Sequence, residues 1–353
     1  MNQLYTLVAV PNLPIQRRTP MRHWLSALTA LATLAGSALP AVAADASLTA
    51  APTTPTEDLP VPPDFSFSVG TRAWWTSGYS EFSYSFPNPH INPLSELRWR
   101  GVDALIPEVN ADFSWKLLVL RAAVGWSKSE QGVLIDEDFL LDDHNGRVSV
   151  SRSSVESDIF YVNGDVGIRA YRWLSKDGRL GFFDFLGGYQ YWREKYEGFG
   201  LTGNASPPLG LPVAPQSSRV FTDEFTWQSI RIGARYQVPF PKGFGFKAEA
   251  MFIPWSKFEL EDIHHLRTSG NGALRQDPSL RATAEGGFGV QAEGAITYTI
   301  GKGFSVEGGF RYSRLASGEG DIDIRLLTGT QTLKFEGAKT ERYGPFVGLQ
   351  YRF

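Results

Sequence analysis

The last eleven residues of the chain alternate without interruption between two kinds of side chain. Successive side chains of a β-strand point to opposite faces. One face here would carry Tyr343, Pro345, Val347, Leu349, Tyr351 and Phe353. The other face would carry Gly344, Phe346, Gly348, Gln350 and Arg352. A strict period of two that ends in an aromatic residue is typical of the closing strand of a membrane β-barrel, with one face toward lipid and one toward a polar lumen.

The N-terminal region has the pattern of a secretory signal peptide. Three arginines within the first 22 residues precede an apolar run from Trp24 to Leu39, and Ala41-Val42-Ala43 supplies a small-residue cleavage pattern. The run is too short and too rich in Ala for a spanning helix. We therefore predict that residues 1–43 are removed, with Met21 as an alternative start, and that the Pro-rich segment 44–63 is flexible.

Composition excludes several classes of function. Removal of the signal peptide takes away three Arg and no acidic residue, which lowers the net charge from −3 to −6. A mildly acidic chain gives no support for nucleic-acid binding. Cys is absent, so disulfides, Cys-ligated metals and Cys nucleophiles are excluded.

Segments of alternating character recur through the remaining chain and are separated by turn residues. The clearest of them are 118–126, 160–170, 230–238, 244–252 and 306–312. In each segment the charged residues fall on one face only. That face fits a lumen, because an Arg or Lys facing the lipid midplane would cost about 2–4 kcal/mol. A soluble barrel of the lipocalin type is the alternative, although it would carry its charges outside.

The connections between these segments fall into two length classes. Short turns are predicted at 114–116, 176–179, 239–243 and 301–303. Long polar loops are predicted at about 77–95, 127–157, 197–223, 256–280 and 315–337. Strict alternation places every long loop at the outer rim, and five loops, four turns and two ends give ten strands. The sequence thus predicts an all-β, ten-stranded antiparallel transmembrane β-barrel over residues 64–353, in the outer membrane of a Gram-negative bacterium.

Two of the long loops carry the residues with the clearest chemistry. Asp136 and Asp138 share a direction in an extended chain, as do Asp262 and His264. Their hairpins are four strands apart in a ring of ten, so the two pairs would face each other across the barrel mouth. A His oriented by an Asp can act as a general base toward water. A close carboxylate pair can hold a proton and bind the same water, without any metal.

Two simpler interpretations of these loops remain open. An Asp-rich loop is often only a solvated loop, and a His-His pair in an exposed loop often has no special role. The first loop could instead hold Ca²⁺ through four carboxylates. These would be Asp136, Asp138, Asp142 and Asp143.

Several short motifs resemble those of the omptins, a family of outer-membrane proteases on ten-stranded barrels. The resemblance covers most of the mature chain, and its motifs are Ser95-Glu96-Leu97-Arg98-Trp99, Gly125-Trp126, Asp136-Glu137-Asp138-Phe139, Gly188-Tyr189-Gln190 with Arg193, and Trp255 before Asp262-Ile263-His264. Each motif alone is weak evidence for the resemblance, but together, in this order along the chain, they support it. The resemblance implies an endopeptidase in which Asp136 and Asp138 form the carboxylate pair, Asp262 orients His264, and His264 is the base.

The chain departs from the omptin pattern where substrate specificity is set. Omptins that cleave at basic residues have an acid two positions before the Asp of the dyad, and here that position is Leu260. Glu81, in the first outer loop, is the remaining candidate for a substrate-binding acid. The resemblance therefore predicts a peptide or protein substrate at the cell surface, with specificity for paired basic residues in doubt.

The resemblance also implies a requirement for lipopolysaccharide, bound on the outer flank of the barrel. Tyr189 and Arg193 match that lipid-binding site, whereas Tyr191 and Thr226 replace an acidic and a basic position. The alternative is that Tyr189, Tyr191 and Trp192 belong to the ordinary aromatic girdle of a membrane barrel. No other cofactor and no metal is predicted.

The competing class of function is non-enzymatic. A porin is disfavoured, because ten strands enclose a narrow lumen and the inward charges would fill it with ion pairs. Those charges are Arg169, Arg231, Arg235, Lys247, Glu249, Glu307 and Arg311. An adhesin or structural barrel suits long polar loops equally well. The presence of both Asp-x-Asp and Asp-x-His favours the enzyme, since an adhesin has no use for the pair.

Overall fold

The computed structural model describes residues 62–86, 91–129, 131–205, 213–270, 272–301 and 303–353. The predicted signal peptide and nearly all of the Pro-rich segment lie outside these residues. Thirteen strands are described: β1 Phe65–Ser85, β2 Ser95–Arg100, β3 Ala104–Trp115, β4 Leu118–Ser129, β5 Val133–Phe139, β6 Arg147–Leu174, β7 Leu180–Ala205, β8 Ala214–Pro239, β9 Phe244–His264, β10 Leu280–Thr299, β11 Phe304–Ala316, β12 Gly320–Leu326 and β13 Gly329–Arg352. A 3₁₀ helix, Pro241–Gly243, joins β8 to β9. No helix in the described part of the chain is long and apolar enough to cross a membrane.

The described strands form one closed antiparallel ring of ten barrel strands. Three barrel strands are each interrupted once, because β2 and β3 both pair with β1, β4 and β5 both pair with β6, and β11 and β12 both pair with β10 and β13. The ring closes where β13 pairs with β1, from Ser68 opposite Arg352 to Ser85 opposite Lys334. The predicted all-β, ten-stranded barrel is confirmed.

The outer face of the barrel carries an apolar band. Its exposed members, on every barrel strand, include Trp75, Leu105, Leu120, Trp126, Val166, Phe185, Ile232, Phe252, Phe288, Phe310, Val347 and Leu349. The terminal residue Phe353 stacks on Phe67, with 5.4 Å between the ring centroids, and its backbone N–H donates to the Phe67 carbonyl. The alternation of the last eleven residues therefore builds the lipid-facing wall, as predicted.

The lumen inside this band is filled by charged side chains in ion pairs. Characteristic distances are 2.8 Å for Arg169–Asp184, 2.9 Å for Arg231–Asp165, 2.7 Å for Arg311–Glu108 and 3.1 Å for Lys247–Glu307. A cavity of about 50 Å³ remains at this level, which is room for only a few water molecules. The salt-bridged lumen predicted from the inward charges is present.

The strands extend well beyond the apolar band at the outer end. There the inward face carries aromatic side chains and the outward face becomes polar. On β8 the residues Arg231 and Arg235 point inward within the band, and Phe225 and Trp227 point inward above it, both fully buried. Outward positions change from Ile230 and Ile232 to polar residues. Buried aromatic residues from several strands thus close the upper lumen.

The predicted long loops are much shorter in the structure. Strand β6 begins at Arg147 and β8 at Ala214, so most of 127–157 and part of 197–223 are strand. In these parts many outward residues are polar, such as Arg152 and Glu156, and some inward residues, such as Ser151 and Ser153, are polar as well. Such segments lack an apolar period and resemble loops in sequence, although their backbone groups are paired in the sheet.

A charge on the outer wall should destabilise the barrel only within the apolar band. Ile232→Lys, which places a cation against lipid, should lower the unfolding free energy by about 2–4 kcal/mol near the midplane and less toward its edges. The matched control is Thr226→Lys, on the same strand and outward face but above the band. Denaturant unfolding in lipid vesicles measures both, and equal losses would contradict this position of the band.

Candidate active site

The dyad of Asp262 and His264 lies at the outer end of β9. Nε2 of His264 is 3.0 Å from Oδ2 of Asp262, so in the tautomer that donates to this carboxylate, Nδ1 is the basic nitrogen. Asp262 is fully buried, while the His264 side chain is 19% exposed and within reach of water. The Asp-x-His spacing on an extended strand produces the pair directly, because both side chains point into the barrel.

The surroundings of His264 hold it in place. Its backbone N–H donates to Oγ of Ser279 at 2.9 Å, and its carbonyl accepts from Gln276 at 3.1 Å. The ring of Phe221 meets the imidazole edge-on at 6.0 Å between centroids. Phe221 can pack there because its strand neighbour is Gly198, where a Cβ would come within 2.3 Å of the phenyl ring.

The pair Asp136 and Asp138 lies on β5, which continues the third barrel strand above the band. Both side chains share the inward face with buried Leu134. Each carboxylate accepts a serine hydroxyl from a neighbouring strand: Ser95 donates to Asp136 at 3.4 Å, and Ser149 donates to Asp138. Strands β5 and β9 belong to the third and seventh barrel strands, four apart in the ring.

The electrostatics of the two pairs are linked across the cleft. Burial, followed by the neighbouring charge of Asp138, raises the pKa of Asp136 to about 7, and the charge of His264 opposes that rise. Burial alone would lower the pKa of His264, but the charge and hydrogen bond of Asp262 outweigh burial and raise it, with a further contribution from Asp136. The structure thus brings all four predicted catalytic side chains into one site.

A layer of packed aromatic side chains forms the floor of this cleft. Below the dyad on β9 the same face carries Leu260 and Phe258, both fully buried. Phe258 packs against Trp227 and Phe335, with centroids 4.5 Å and 5.7 Å apart. The floor separates the acidic cleft from the ion pairs of the lumen, and its low polarity strengthens electrostatic interactions above it.

Two further residues of the site were not found from the sequence. Tyr84 on β1 faces Asp136, Asp138 and Asp262, and burial followed by the charge of Asp138 raises the pKa of its phenol, so it stays protonated. Asp223 on β8 is the direct strand partner of Asp262 and is 1% exposed. Neither belongs to a short motif, and only the strand pairing brings them to the site.

Glu81 does not reach the cleft. Its neighbours Ser80 and Phe82 are buried inside the barrel, so Glu81 points outward, where it pairs with Lys339 at 2.8 Å. The prediction of a substrate-binding role therefore fails on the alternation of the strand. A shift of one residue along a strand moves a side chain to the other face of the wall.

Tyr189 and Arg193 lie on the outer flank of the barrel, as a lipid-binding site requires. Tyr189 is 45% exposed and donates its hydroxyl to Gln228 at 3.0 Å. Arg193 is partly exposed, is 3.4 Å from Asp158 and is the strand partner of Thr226. The alternative reading as an aromatic girdle is wrong for one member, because Trp192 points inward and stacks on Tyr161 at 4.9 Å.

The acidic residues after β5 do not join the aspartate pair in a metal site. Asp142 and Asp143 lie in the exposed turn between β5 and β6, where the Asp142 carboxylate accepts the backbone N–H of Asn92 at 3.1 Å. Within the described ranges, no group of three or more His, Asp or Glu side chains is arranged to hold a metal ion. The Ca²⁺ interpretation therefore gains no geometric support.

The fold and the membrane band define an outer-membrane β-barrel with an acidic cleft at its outer rim. Its architecture is similar to that of the outer membrane protease OmpT from Escherichia coli, with a TM-score of 0.70 over 84% of this chain and 99% of OmpT at 15% identity. The translocator domain of the autotransporter NalP from Neisseria meningitidis matches with a TM-score of 0.33 and 12% identity over 81% of this chain and 88% of that domain. No protein-family model and no curated protein sequence matches the chain.

The charge of Asp262 should control the protonation of His264. Asp262→Asn removes that charge and leaves the burial, so the pKa of His264 should fall from above 6.5 to below it. NMR titration of histidine-labelled barrel in detergent measures this, and the His264 signal is assigned by its loss in His264→Gln. Glu261→Gln is the control, since Glu261 is the outward neighbour and pairs with Arg281. An unchanged pKa in Asp262→Asn would contradict the dyad.

Proposed function

We propose that the protein is an omptin-like outer-membrane endopeptidase that cleaves peptides at the outer rim of the barrel. The observation that carries the proposal is the juxtaposition of the Asp262–His264 dyad with the pair Asp136 and Asp138 in one cleft. The fold shared with OmpT supports the proposal. The lumen, closed by ion pairs and aromatic side chains, supports an enzyme over a pore.

In the proposed mechanism, a water lies between the two pairs. His264 removes a proton from this water while Asp262 orients the imidazole and stabilises the imidazolium that forms. The resulting hydroxide attacks the carbonyl carbon of the scissile peptide bond. His264 then returns the proton to the leaving amine, which completes the cycle without a covalent intermediate.

The aspartate pair has a different role in this mechanism. Burial, followed by the charge of the adjacent Asp138, raises the pKa of Asp136 to about 7, so the two carboxyls do not readily ionise together. A pair that shares one proton can accept a hydrogen bond from the attacking water and donate one to the oxyanion of the tetrahedral intermediate. The phenol of Tyr84, which faces the same carboxyls, is available as a second donor.

The lipid requirement is also a proposal. Tyr189 and Arg193 offer an aromatic ring and a guanidinium on the outer flank, which suit the acyl and phosphate groups of lipopolysaccharide. The proposal does not include a preference for basic substrate side chains. Leu260 is apolar where the omptin resemblance requires an acid, and Glu81 lies outside the cleft.

Loss of the base should abolish most of the cleavage. Refolded barrel with lipopolysaccharide should cleave a broad peptide library without added metal and in the presence of EDTA. His264→Ala should lower the rate by about 10²–10⁴-fold, and Asp136→Asn with Asp138→Asn should be comparably damaging. Glu261→Gln, on the outer face of the same strand, is the control for charge removal. Equal background cleavage by wild type and His264→Ala would instead favour an adhesin or structural barrel.

The pH dependence follows from the direction of the His264 shift. The imidazole acts as a base only when neutral, and its pKa is raised above 6.5. Cleavage should therefore be weak at pH 5.5 and increase through a midpoint above pH 6.5. Initial rates at saturating peptide between pH 5.5 and 9 measure this. Loss of the shared proton of the aspartate pair, in which the pKa of Asp136 is about 7, should lower the rate again toward pH 9. A rate that is already highest at pH 5.5 would exclude neutral His264 as the base.

A further inference from the structure

Asp223 is a buried acid that the mechanism above does not use. It lies on β8 directly opposite Asp262 in the strand register, and the two residues are 1% and 0% exposed. Directly opposite side chains have Cβ atoms about 4.5–5.5 Å apart. Neither oxygen of Asp223 has a hydrogen-bond partner among the described residues, and Oδ1 of Asp262 also has none. Three carboxyl oxygens on two directly opposite buried residues therefore lack a hydrogen-bond donor.

The charges that act on Asp223 are those of other acids, and His264, diagonal to it on β9, is already paired with Asp262. On β9 its neighbour is Asp262, and across the cleft Asp136 is the other charge that acts on it. On β7 its partner is Tyr196, whose hydroxyl is engaged with Glu194 and Arg342 below. Burial, then Asp262 and Asp136, raise the pKa of Asp223 well above its usual range. Two ionised carboxylates at this spacing would repel each other strongly.

Among possible cations, only a proton fits beside these carboxyls. No group of three or more ligating side chains in the described parts of the chain is arranged to hold a metal ion. A substrate Lys or Arg side chain would have to reach a carboxyl that is 1% exposed. A proton on Asp223 solves the problem directly, because a protonated carboxyl is a hydrogen-bond donor. The unpaired acceptor on the opposite residue is Oδ1 of Asp262.

We propose that Asp223 is a positioning residue. Its carboxyl stays protonated at neutral pH and donates a hydrogen bond to Oδ1 of Asp262. Both oxygens of Asp262 are then engaged, Oδ2 with His264 and Oδ1 with Asp223, so the carboxylate cannot rotate away from the imidazole. The cluster carries one negative charge instead of two, which limits the rise of the His264 pKa. The catalytic benefit rests on the proposed function, whereas the hydrogen bond and its effect on His264 do not.

Two substitutions at one position test the inference through the pKa of His264, measured by NMR in the folded barrel. Asp223→Asn keeps a neutral donor of the same shape, so the pKa of His264 should remain within a few tenths of a unit. Asp223→Leu removes the donor, and the unpartnered Asp262 carboxylate then attracts the imidazolium more strongly. The pKa of His264 should rise by about one unit, as expected for loss of a hydrogen bond to a charged group.

The outcomes separate the possible states of Asp223. If Asp223 were ionised, Asp223→Asn would remove a charge and lower the pKa of His264 by a unit or more, which would overturn the proposal. Equal pKa values in wild type, Asn and Leu variants would also overturn it, since the carboxyl would then have no contact with Asp262. Glu224→Gln is the control, because it removes the next carboxyl along β8, on the outward face. The titration gives its result even if no peptide is cleaved.

Discussion

A chain that crosses lipid with strands must pair every backbone N–H and C=O within itself, because the bilayer core offers no water as a partner. In this protein the requirement is met by the pairing of β13 with β1, which closes the ring of described strands so that none of its barrel strands is an open edge. Closure also fixes which strands face each other. The third and seventh barrel strands lie across the ring, so Asp136 and His264 face each other across the cleft although 128 positions separate them in the sequence.

The side chains inside the closed barrel change in character along the barrel axis. In the band, charged groups face inward and neutralise one another, as Arg231 does with Asp165 and Arg169 with Asp184. Above the band, where the outer wall meets water, the interior becomes aromatic. The acidic cleft therefore rests on an apolar floor. Burial and the charge of Asp138 raise the pKa of Asp136 to about 7, whereas the pKa of His264 is raised against the effect of burial by the charge and hydrogen bond of Asp262.

Sequence alone predicts the parts of this arrangement that depend on local periodicity. The alternation from Leu118 to Trp126 marks a lipid-facing strand, and the Asp-x-His spacing places Asp262 and His264 on one face. It does not predict strand where polar residues occur on both faces, as at Ser151 and Arg152, because no regular apolar period remains. Nor does it resolve a shift of one residue, which turned Glu81 from the expected cleft to the outer wall.

Asp223 shows where local sequence reasoning ends, because its partner Asp262 is 39 residues away and only the register of β8 against β9 joins them. An apolar residue would fill this buried position without electrostatic cost, so the fold has no need of an acid there. Asp223 places a carboxyl where an apolar residue would cost less, and it does so beside a dyad that requires a fixed carboxylate. The chemistry of the cleft explains this acid better than the stability of the barrel does.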